Sequence, residues 1–496
     1  MINVETETDI ERLRQVAQLL TEENERLHRR LQKLVRELAE AKGSDVDRLQ
    51  LEMQLLEQQL KRRNQQLFGR SSEQRGRQSR EEGEEKEKPS PQRGHGPREQ
   101  PCLPHVEQVY ELDEADRICP DCGGELQEMK GQFEEADEVD SVERTFRMVR
   151  QKRQKYRCAC GGCVETALGP AKLIPGGRYS VGFAAEVAIG KYIDHLPLAR
   201  QVKQMRRQGL EVTSQTLWDQ LEALSRHLQP SYQALREFVL EPSVVGADET
   251  RWFLLGRGKS KTWWVWSVCR PEAVYHRVAP SRGAVELEAL LGDFDGVVMC
   301  DGYRGYGAFA RSRDGPGRIV LANCWSHARR KFVEAEPDYP QAGEVISLIG
   351  ELYTVEAEAG GDLERRAELR RTKSRGIVRR IRDWILGQRV LPESSLGGAI
   401  KYANGIWTGL TRFLEDPQIP LDNNATERSL RGVALGRKNH YGSRSKRGTE
   451  VAALFYSLLE SAKLSNVEPA FYLREVARRA IQNPGTVTLP HHLLED

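Results

Sequence analysis

Long apolar runs are absent from this sequence of 496 residues. No segment approaches the roughly 18 consecutive apolar residues that a membrane-spanning helix needs. Residues 1–15 lack the basic flank and apolar stretch of a signal peptide, and no phosphate-binding loop of the form GxxxxGK followed by Ser or Thr is present. We therefore expect a cytoplasmic protein that has no membrane partner and drives no step with ATP.

Cysteine is scarce outside one segment. The chain has nine cysteines, an odd number, and five of them crowd together. In a cytoplasmic protein this crowding favours metal binding over disulfides. Four thiolates bind zinc tetrahedrally, so we predict one structural Zn²⁺ and one spare thiol. Cys119 and Cys122 form the first ligand pair, and the second pair is drawn from Cys158, Cys160 and Cys163.

Acidic residues are absent from residues 428–448, a segment that directly follows Glu427. A solvated helix normally mixes its charges, because like charges at neighbouring positions repel each other. We therefore predict that this segment binds the phosphates of DNA. Its basic residues are Arg428, Arg431, Arg437, Lys438, Arg444, Lys446 and Arg447.

A second basic segment lies between the two groups of cysteines, where Lys and Arg alternate with bulky residues such as Phe146 and Tyr156. This alternation suits a ribbon of strands laid along phosphates. The alternative is a structural zinc clip with a solvated basic face. The candidate DNA-binding residues are Arg150, Lys152, Arg153 and Lys155.

The first 68 residues carry a heptad pattern of apolar residues, which predicts a coiled coil. We expect the chain to self-associate through this region; the alternative is that its two arms form one antiparallel hairpin. Residues 69–101 have almost no large apolar side chains and much charge, so they predict a flexible linker.

Residues 176–240 have a helical pattern. One predicted helix ends at Gly209, and a second is capped by Thr213 or Ser214. This is the layout of a helix-turn-helix DNA-binding motif, although many helical hairpins without a DNA role share it.

From Pro242 onward the apolar pattern changes to a period of two, which predicts strands. Two hairpin-linked strands, a third strand, a helix and a fourth strand predict a mixed sheet. Asp248 closes the first predicted strand and Asp301 closes the fourth. If these two strands are neighbours, the carboxylates meet at one edge of the sheet, where their oxygens suit Mg²⁺. Glu249, beside Asp248, is expected to point to the opposite face.

Glu427 lies in the first turn of a helix that is predicted to begin at Ala425 and to be capped by Asn423 or Asn424. Its carboxylate is either a third metal ligand or the partner of Asn424 in a capping box. Two aspartates at strand ends, together with the basic run that follows, favour the metal ligand.

Cys324 and His327 have the spacing of half a zinc site. Because they follow a predicted strand and lie far from the other cysteines, we expect them to pack near the metal site and to position DNA or one of the metal ligands.

Four segments occur in a characteristic order: GADETRW around Asp248, MCDGYRGY around Asp301, NCWSHARRKF around His327, and DNNATERSLRGVALGRKN around Glu427. Together they closely resemble the large transposase of the insertion sequence 66 family, a bacterial DDE transposase. The similarity extends over nearly the whole chain, from LFGRSSE and CPDCGGEL through HLPLAR to the tail SLLESAKLSNVEPAFYL. The segment CACGGC departs from the family pattern by an extra cysteine.

The resemblance implies a multidomain α/β protein whose catalytic core is a ribonuclease H-like mixed sheet, with Asp248, Asp301 and Glu427 as the metal-binding triad. Because Asp301 and Glu427 are 126 residues apart, we also predict a helical insertion, whose basic clusters either touch DNA or form a solvated surface. The predicted domains are a coiled coil (1–68), a linker (69–101), a zinc-binding module (102–175), a helical DNA-binding region (176–240), the first part of the core (241–332), the insertion (333–415), the second part of the core with Glu427 (416–456) and a helical tail (457–496).

The function predicted from these features is that of a bacterial transposase, which binds element ends and target DNA. Two Mg²⁺ ions would support strand cleavage and strand transfer. The resemblance also implies two small companion proteins encoded by the element. Two alternatives are a DNA-binding regulator or inactive element copy that performs no chemistry, and a ribonuclease H-like nuclease that does not join strands.

Overall fold

A computed structural model describes residues 107, 146–157, 163–256, 260–313 and 318–494. The chain divides into two compact units, one formed by residues 1–68 with 145–496 and the other by residues 69–144. The architecture described below belongs to the first unit. The predicted coiled coil, the linker and four of the five candidate zinc ligands lie outside the described residues and stay predictions.

Two short strands form a separate antiparallel ribbon, β1 (Lys155–Arg157) and β2 (Val164–Thr166). A five-stranded sheet follows, made of β3 (Val244–Leu254), β4 (Lys261–Arg270), β5 (Ala273–Ala279), β6 (Gly296–Cys300) and β7 (Ile319–Asn323).

The spatial order of the five-stranded sheet is β5, β4, β3, β6, β7. The β3–β4 and β4–β5 pairs are antiparallel, whereas the β3–β6 and β6–β7 pairs are parallel. The first and fourth strands of this sheet are therefore neighbours, which is the arrangement that brings Asp248 and Asp301 towards the same edge.

Helices lie before, between and after the strands. Before the sheet are α1 (Val181–Tyr192), α2 (Leu198–Arg207) and α3 (Ser214–Val239). Within it are α4 (Ala284–Leu291), α5 (Arg304–Arg311) and, after β7, α6 (Trp325–Ala335). Next come α7 (Ala342–Ala359), α8 (Leu363–Leu369), a π-helical turn (Arg370–Ser374), α9 (Arg375–Gly387), α10 (Ser395–Gly405), α11 (Trp407–Thr411) and a 3₁₀ turn (Arg412–Leu414). The chain continues with α12 (Asn424–His440), α13 (Lys446–Leu464), α14 (Pro469–Gln482) and a 3₁₀ turn (Pro490–Leu493).

The turn between α2 and α3 has the local chemistry that the sequence predicts. Gly209 follows α2 with a φ of +79°, a left-handed conformation that glycine adopts without strain. The Thr213 side chain then caps α3 by accepting a hydrogen bond from the N–H of Thr216 at 3.1 Å. The predicted helix-turn-helix layout is present, while its role in DNA binding stays a prediction.

The free edge of β5 is closed by α13. The Ser457 hydroxyl accepts the N–H of His276 at 2.8 Å, and the Ser461 hydroxyl accepts the N–H of Val274 at 2.9 Å. Because an uncovered edge strand exposes backbone groups to other chains, these serines complete the edge with side-chain hydrogen bonds.

Helices α6 to α11 share a second apolar core, separate from the core around α3 and α13. Arg370 is buried in the π-helical turn and pairs with Glu356 of α7 through two contacts of 2.7 Å. The basic clusters of this region are largely neutralised in the same way by glutamates of α7. The other paired residues are Arg365, Arg366, Lys373 and Arg380. Of the two predicted alternatives, a surface without DNA contacts fits these five residues better than a DNA-binding face, because glutamates already pair with them.

None of the helices in the described part of the chain has the length and apolarity that a membrane crossing requires.

Candidate metal centre

Asp248 lies in the middle of β3 and not at its end, contrary to the sequence prediction. The reason is that two neighbours pair with β3 over different lengths. Pairing with β6 stops at Gly246 opposite Met299, whereas the hairpin with β4 continues to Leu254. Asp248 is thus placed just beyond the end of β6, and Asp301 directly follows that same strand.

The Asp248 carboxyl is in an environment that disfavours its charge. Burial, together with the negative charges of Glu249, Asp301 and Glu427, raises its pKa to about 8, against one hydrogen bond from the N–H of Glu249 at 2.8 Å. Carboxylates from β3, the end of β6 and α12 therefore act on one another at short range.

Asp301 is held by its own loop and by the neighbouring strand. Its Oδ1 accepts the N–H of Tyr303 at 2.8 Å, and its backbone carbonyl accepts the Asn323 side-chain amide at 2.9 Å. The Tyr402 hydroxyl of α10 accepts the N–H of Gly302 at 3.1 Å. The helices that follow β7 therefore contact the loop that carries Asp301.

The start of α12 is fastened to β3. The Asn423 side-chain amide donates to the carbonyl of Ala247 at 2.8 Å, and its Oδ1 accepts the Thr426 hydroxyl at 2.7 Å. A Cβ atom on Gly246 would lie only 2.1 Å from Thr426 Oγ1. The absence of a side chain at Gly246 therefore lets the start of α12, which carries Glu427, approach β3 closely.

The helix begins at Asn424, one residue before the predicted start, and Asn423 occupies the cap position without a side-chain capping bond. The capping-box interpretation of Glu427 is wrong, because the N–H groups of Asn423 and Asn424 donate to Cys324 and Asp422.

The Glu427 carboxylate faces α6. Its Oε1 lies 3.5 Å from His327 Nδ1, and its Oε2 lies 3.9 Å from an Arg330 nitrogen. Oε1 and His327 Nδ1 are both buried and have no hydrogen-bond partner in the described part of the chain. Glu427 is thus oriented by tertiary contacts, with an oxygen still available.

Cys324, His327 and Glu427 offer ligand atoms that all lie within 4.8 Å of one another. Burial raises the pKa of the Cys324 thiol to about 12, and the protonated thiol is a poor metal ligand. Its sulfur instead accepts the N–H of Asn423 at 3.2 Å. Cys324 and His327 therefore both pack at the candidate site. Cys324 supports the start of α12, and His327 flanks Glu427.

Glu249 is buried on the other face of β3, as the alternation of strand side chains predicts. It forms an ion pair with Arg282, and its Oε2 accepts the Tyr306 hydroxyl at 2.8 Å. Sequence reasoning missed Arg282 and Tyr306, and also missed Gly246 and gave Asn423 only a capping role. Single contacts between distant segments leave no periodic signal, so only the compact GAD and DNN strings could have pointed to the last two.

The basic run after Glu427 divides into two groups. Exposed residues without an ion-pair partner among the described residues are Arg428, Arg431, Lys438, Arg444 and Lys446. Arg437 instead bonds to the Thr250 hydroxyl at 3.1 Å and to the Arg251 carbonyl. Arg447 pairs with Glu222 and donates to the Ser225 hydroxyl at 3.0 Å. The predicted phosphate-binding role does not suit these last two, because the fold already uses their guanidinium groups.

The basic residues before the ribbon and at its start are exposed. Arg150, Lys152 and Lys155 face solvent, and Arg153 donates to the carbonyl of Ala167 at 2.5 Å. Cys163, the described candidate zinc ligand, is exposed and free.

Comparison with known proteins gives two family matches. Residues 176–451 match the family described as "Transposase IS66 family", and residues 116–161 match the "zinc-finger binding domain of transposase IS66". The chain is 32% identical over 411 residues to the uncharacterized protein y4jD of Sinorhizobium fredii, covering 79% of this chain and 80% of that protein. It is 31% identical over 417 residues to the uncharacterized protein y4qI of the same organism, covering 80% of this chain and 76% of that protein.

Proposed function

Because the chain belongs to the IS66 transposase family, we propose that it binds the ends of an insertion sequence and catalyses Mg²⁺-dependent cleavage and transfer of DNA strands. The proposed metal ligands are Asp248, Asp301 and Glu427. The observation that carries the proposal is the placement of the three side chains: β3 and β6, which carry or precede the aspartates, are neighbours, and Asn423 fastens the start of α12 to β3. Burial above all, with the charges of Glu249, Asp301 and Glu427, raises the pKa of Asp248 to about 8. A divalent cation relieves such repulsion and takes carboxylate oxygens as its preferred ligands.

The sheet order supports a ribonuclease H-like core. Three antiparallel strands are followed by two parallel ones, and the acids belong to the first and fourth strands. The helices α7 to α11 would then be an insertion between the sheet and the helix that carries Glu427.

The residues around the three carboxylates fit a metal centre. Bound divalent cations activate the attacking oxygen and stabilise the departing one during phosphodiester cleavage. The chain would contribute by holding the ligands: Asn423 fixes α12 to β3, and the Tyr303 N–H fixes Asp301. His327 and Arg330 restrict the orientation of Glu427.

The exposed basic residues of α12 supply the phosphate contacts in this proposal. Arg428, Arg431 and Lys438 recur at helical spacing, so they share one face of α12 that begins beside Glu427. Sequence-independent contacts of this kind position DNA without reading its bases.

The other proposed partners follow the family. We assign one structural Zn²⁺ to the cysteines of the zinc-finger match. We also propose that the chain self-associates through residues 1–68 and acts with companion proteins that the same insertion sequence encodes.

The test uses purified full-length protein, labelled element ends and Mg²⁺. Asp248→Asn, Asp301→Asn and Glu427→Gln each keep the side-chain shape, so DNA binding and the melting temperature should stay near wild type. Cleavage should fall by orders of magnitude in all three, because each variant removes negative charge that holds the cation.

Each other outcome has a defined meaning. End binding by the wild type without any cutting would indicate a DNA-binding regulator. Cutting without joining of pre-cut ends would indicate a nuclease. Full cleavage by Glu427→Gln would remove Glu427 from the ligand set.

A further inference from the structure

A cleft of about 610 Å³ opens beside Asp301. One wall consists of α5 and the edge strand β7. The other wall consists of α10, the residues that join it to α11, and α11 itself. Asp301 is part of the lining, so the cleft is continuous with the candidate metal centre.

The charge of this cleft is strongly one-sided. Five arginines line it, and Asp301 is the one acidic residue among the described lining residues. The arginines are Arg304, Arg311, Arg313, Arg318 and Arg412. Arg304, Arg311 and Arg318 are exposed, and no carboxylate of the described residues lies within ion-pair distance of them. Such a concentration of unneutralised guanidinium groups attracts a phosphate chain.

The cleft also presents a fixed aromatic ring. Trp407 is half-buried and packs edge-on against Trp325, with ring centroids 6.0 Å apart, while the Arg382 guanidinium lies 4.8 Å from its ring. A tryptophan held in this way is a platform on which a nucleic-acid base can stack, and stacking tolerates any base.

The dimensions favour a single strand. A cleft of about 610 Å³ lies in the size range of sites for small molecules, which is room for a few nucleotides of one strand. We propose that the cleft binds single-stranded DNA, with its phosphates on Arg304, Arg311 and Arg318 and a base on Trp407. This inference rests on the proposed function, since it gives a path to the strand whose scissile phosphate lies at Asp301.

The experiment measures binding without catalysis, so it does not depend on cleavage. Full-length protein is titrated into a fluorescein-labelled 12-nucleotide oligo(dT), and into a duplex of the same length, without Mg²⁺. The test variant changes Arg304, Arg311 and Arg318 together to Ala. Affinity for oligo(dT) should fall at least tenfold. The slope of log affinity against log salt should become shallower by about 2, because three phosphate contacts are lost and each contributes roughly 0.7.

A matched control changes three exposed arginines that do not line the cleft, Arg371, Arg375 and Arg379, to Ala. It removes the same total charge and should alter oligo(dT) affinity by less than threefold. Trp407→Leu, which keeps an apolar side chain against Trp325, should weaken oligo(dT) binding by about 5-fold or more while leaving duplex binding unchanged.

Equal losses in the arginine variant and its control would overturn the proposal, because general electrostatic attraction would then explain the binding. A loss confined to the duplex would also overturn it. Failure of the proposed catalysis would instead appear as wild-type oligo(dT) binding without cleavage, a result that leaves the cleft assignment intact.

Discussion

Replacing Gly246 with Ala tests how the fold brings Glu427 to the aspartates. A Cβ at this position would lie 2.1 Å from Thr426 Oγ1 and 2.9 Å from Asn423 Oδ1. Non-bonded heavy atoms pack at separations of about 3.5 to 4.0 Å, so the start of α12 must move by about 1.5 Å to admit the methyl group. Glu427 is the next residue after Thr426 and moves with it.

Two quantities should change. Overpacking of this kind lowers the free energy of unfolding by about 1 to 3 kcal/mol. Cleavage should fall by about 100-fold, since a displacement of about 1 Å at a catalytic group has an effect of that order. Urea unfolding measures the first, and cleavage of labelled ends in Mg²⁺ measures the second.

Two companion variants separate the clash from other effects. Thr426→Ala removes the obstructing hydroxyl and by itself should cost about 1 kcal/mol, because Asn423 loses a hydrogen-bond donor. Combined with Gly246→Ala it should restore much of the lost stability and cleavage. Gly432→Ala makes the same chemical change within α12, where the new Cβ would meet His195 at an ordinary 3.7 Å, and it should be neutral or stabilising.

The reasoning would be refuted by a Gly246→Ala variant that unfolds and cleaves like wild type, since α12 could not then lie against β3 as described. A double variant that recovers nothing would show that Thr426 is not the obstacle.

Three other predictions concern different parts of the chain. Glu249→Gln should lower the free energy of unfolding by about 1 to 3 kcal/mol, because a buried charged partner of Arg282 and Tyr306 is lost; cleavage below its melting temperature should stay within tenfold of wild type. Burial lowers the pKa of His276 to about 3, and burial with the nearby charges of Lys191 and His195 lowers that of His440 to about 4. Histidines of the unfolded chain have pKa values near 6.5, so the unfolded chain binds more protons than the folded chain at pH values between about 4 and 6.5. The free energy of unfolding should therefore fall by about 2 kcal/mol for each histidine as the pH drops from 7 to 5. His440→Asn should remove the contribution of one histidine in melting experiments, and an unchanged pH dependence would contradict this prediction. Cys163→Ser should retain one zinc per chain by metal analysis, because the zinc-finger match at 116–161 contains four cysteines without it, whereas loss of zinc would make Cys163 a ligand.

Local patterns in the sequence predicted much of the element order. Period-two alternation from Pro242 predicted the hairpin-linked strands, and Gly209 with Thr213 predicted the turn between α2 and α3. These features depend on contacts between residues close in the chain, so propensity and spacing are sufficient to specify them. Asp301 at the end of β6 was predicted for the same reason.

The sequence could not distinguish basic side chains that are free to bind DNA from those that bind within the fold. Charge alone does not distinguish Arg437, which bonds to the backbone of β3, from exposed Lys438 beside it. Arg370 likewise lies in a basic cluster yet is buried against Glu356. Which arginines remain free depends on the partners that folding places next to them.

The sequence by itself therefore determined the order of the strands, the end of α2 and the starts of α3 and α12 to within a residue or two, and the types of residue that could hold a metal or DNA. Only the tertiary structure decided that β3 and β6 are neighbours, that the β3–β4 hairpin extends past the end of β6 and leaves Asp248 in mid-strand, and that Asn423 and Thr426 seat α12 over Gly246. These contacts join residues up to 180 positions apart, and their energy depends on the packing of the whole core, which no local pattern encodes.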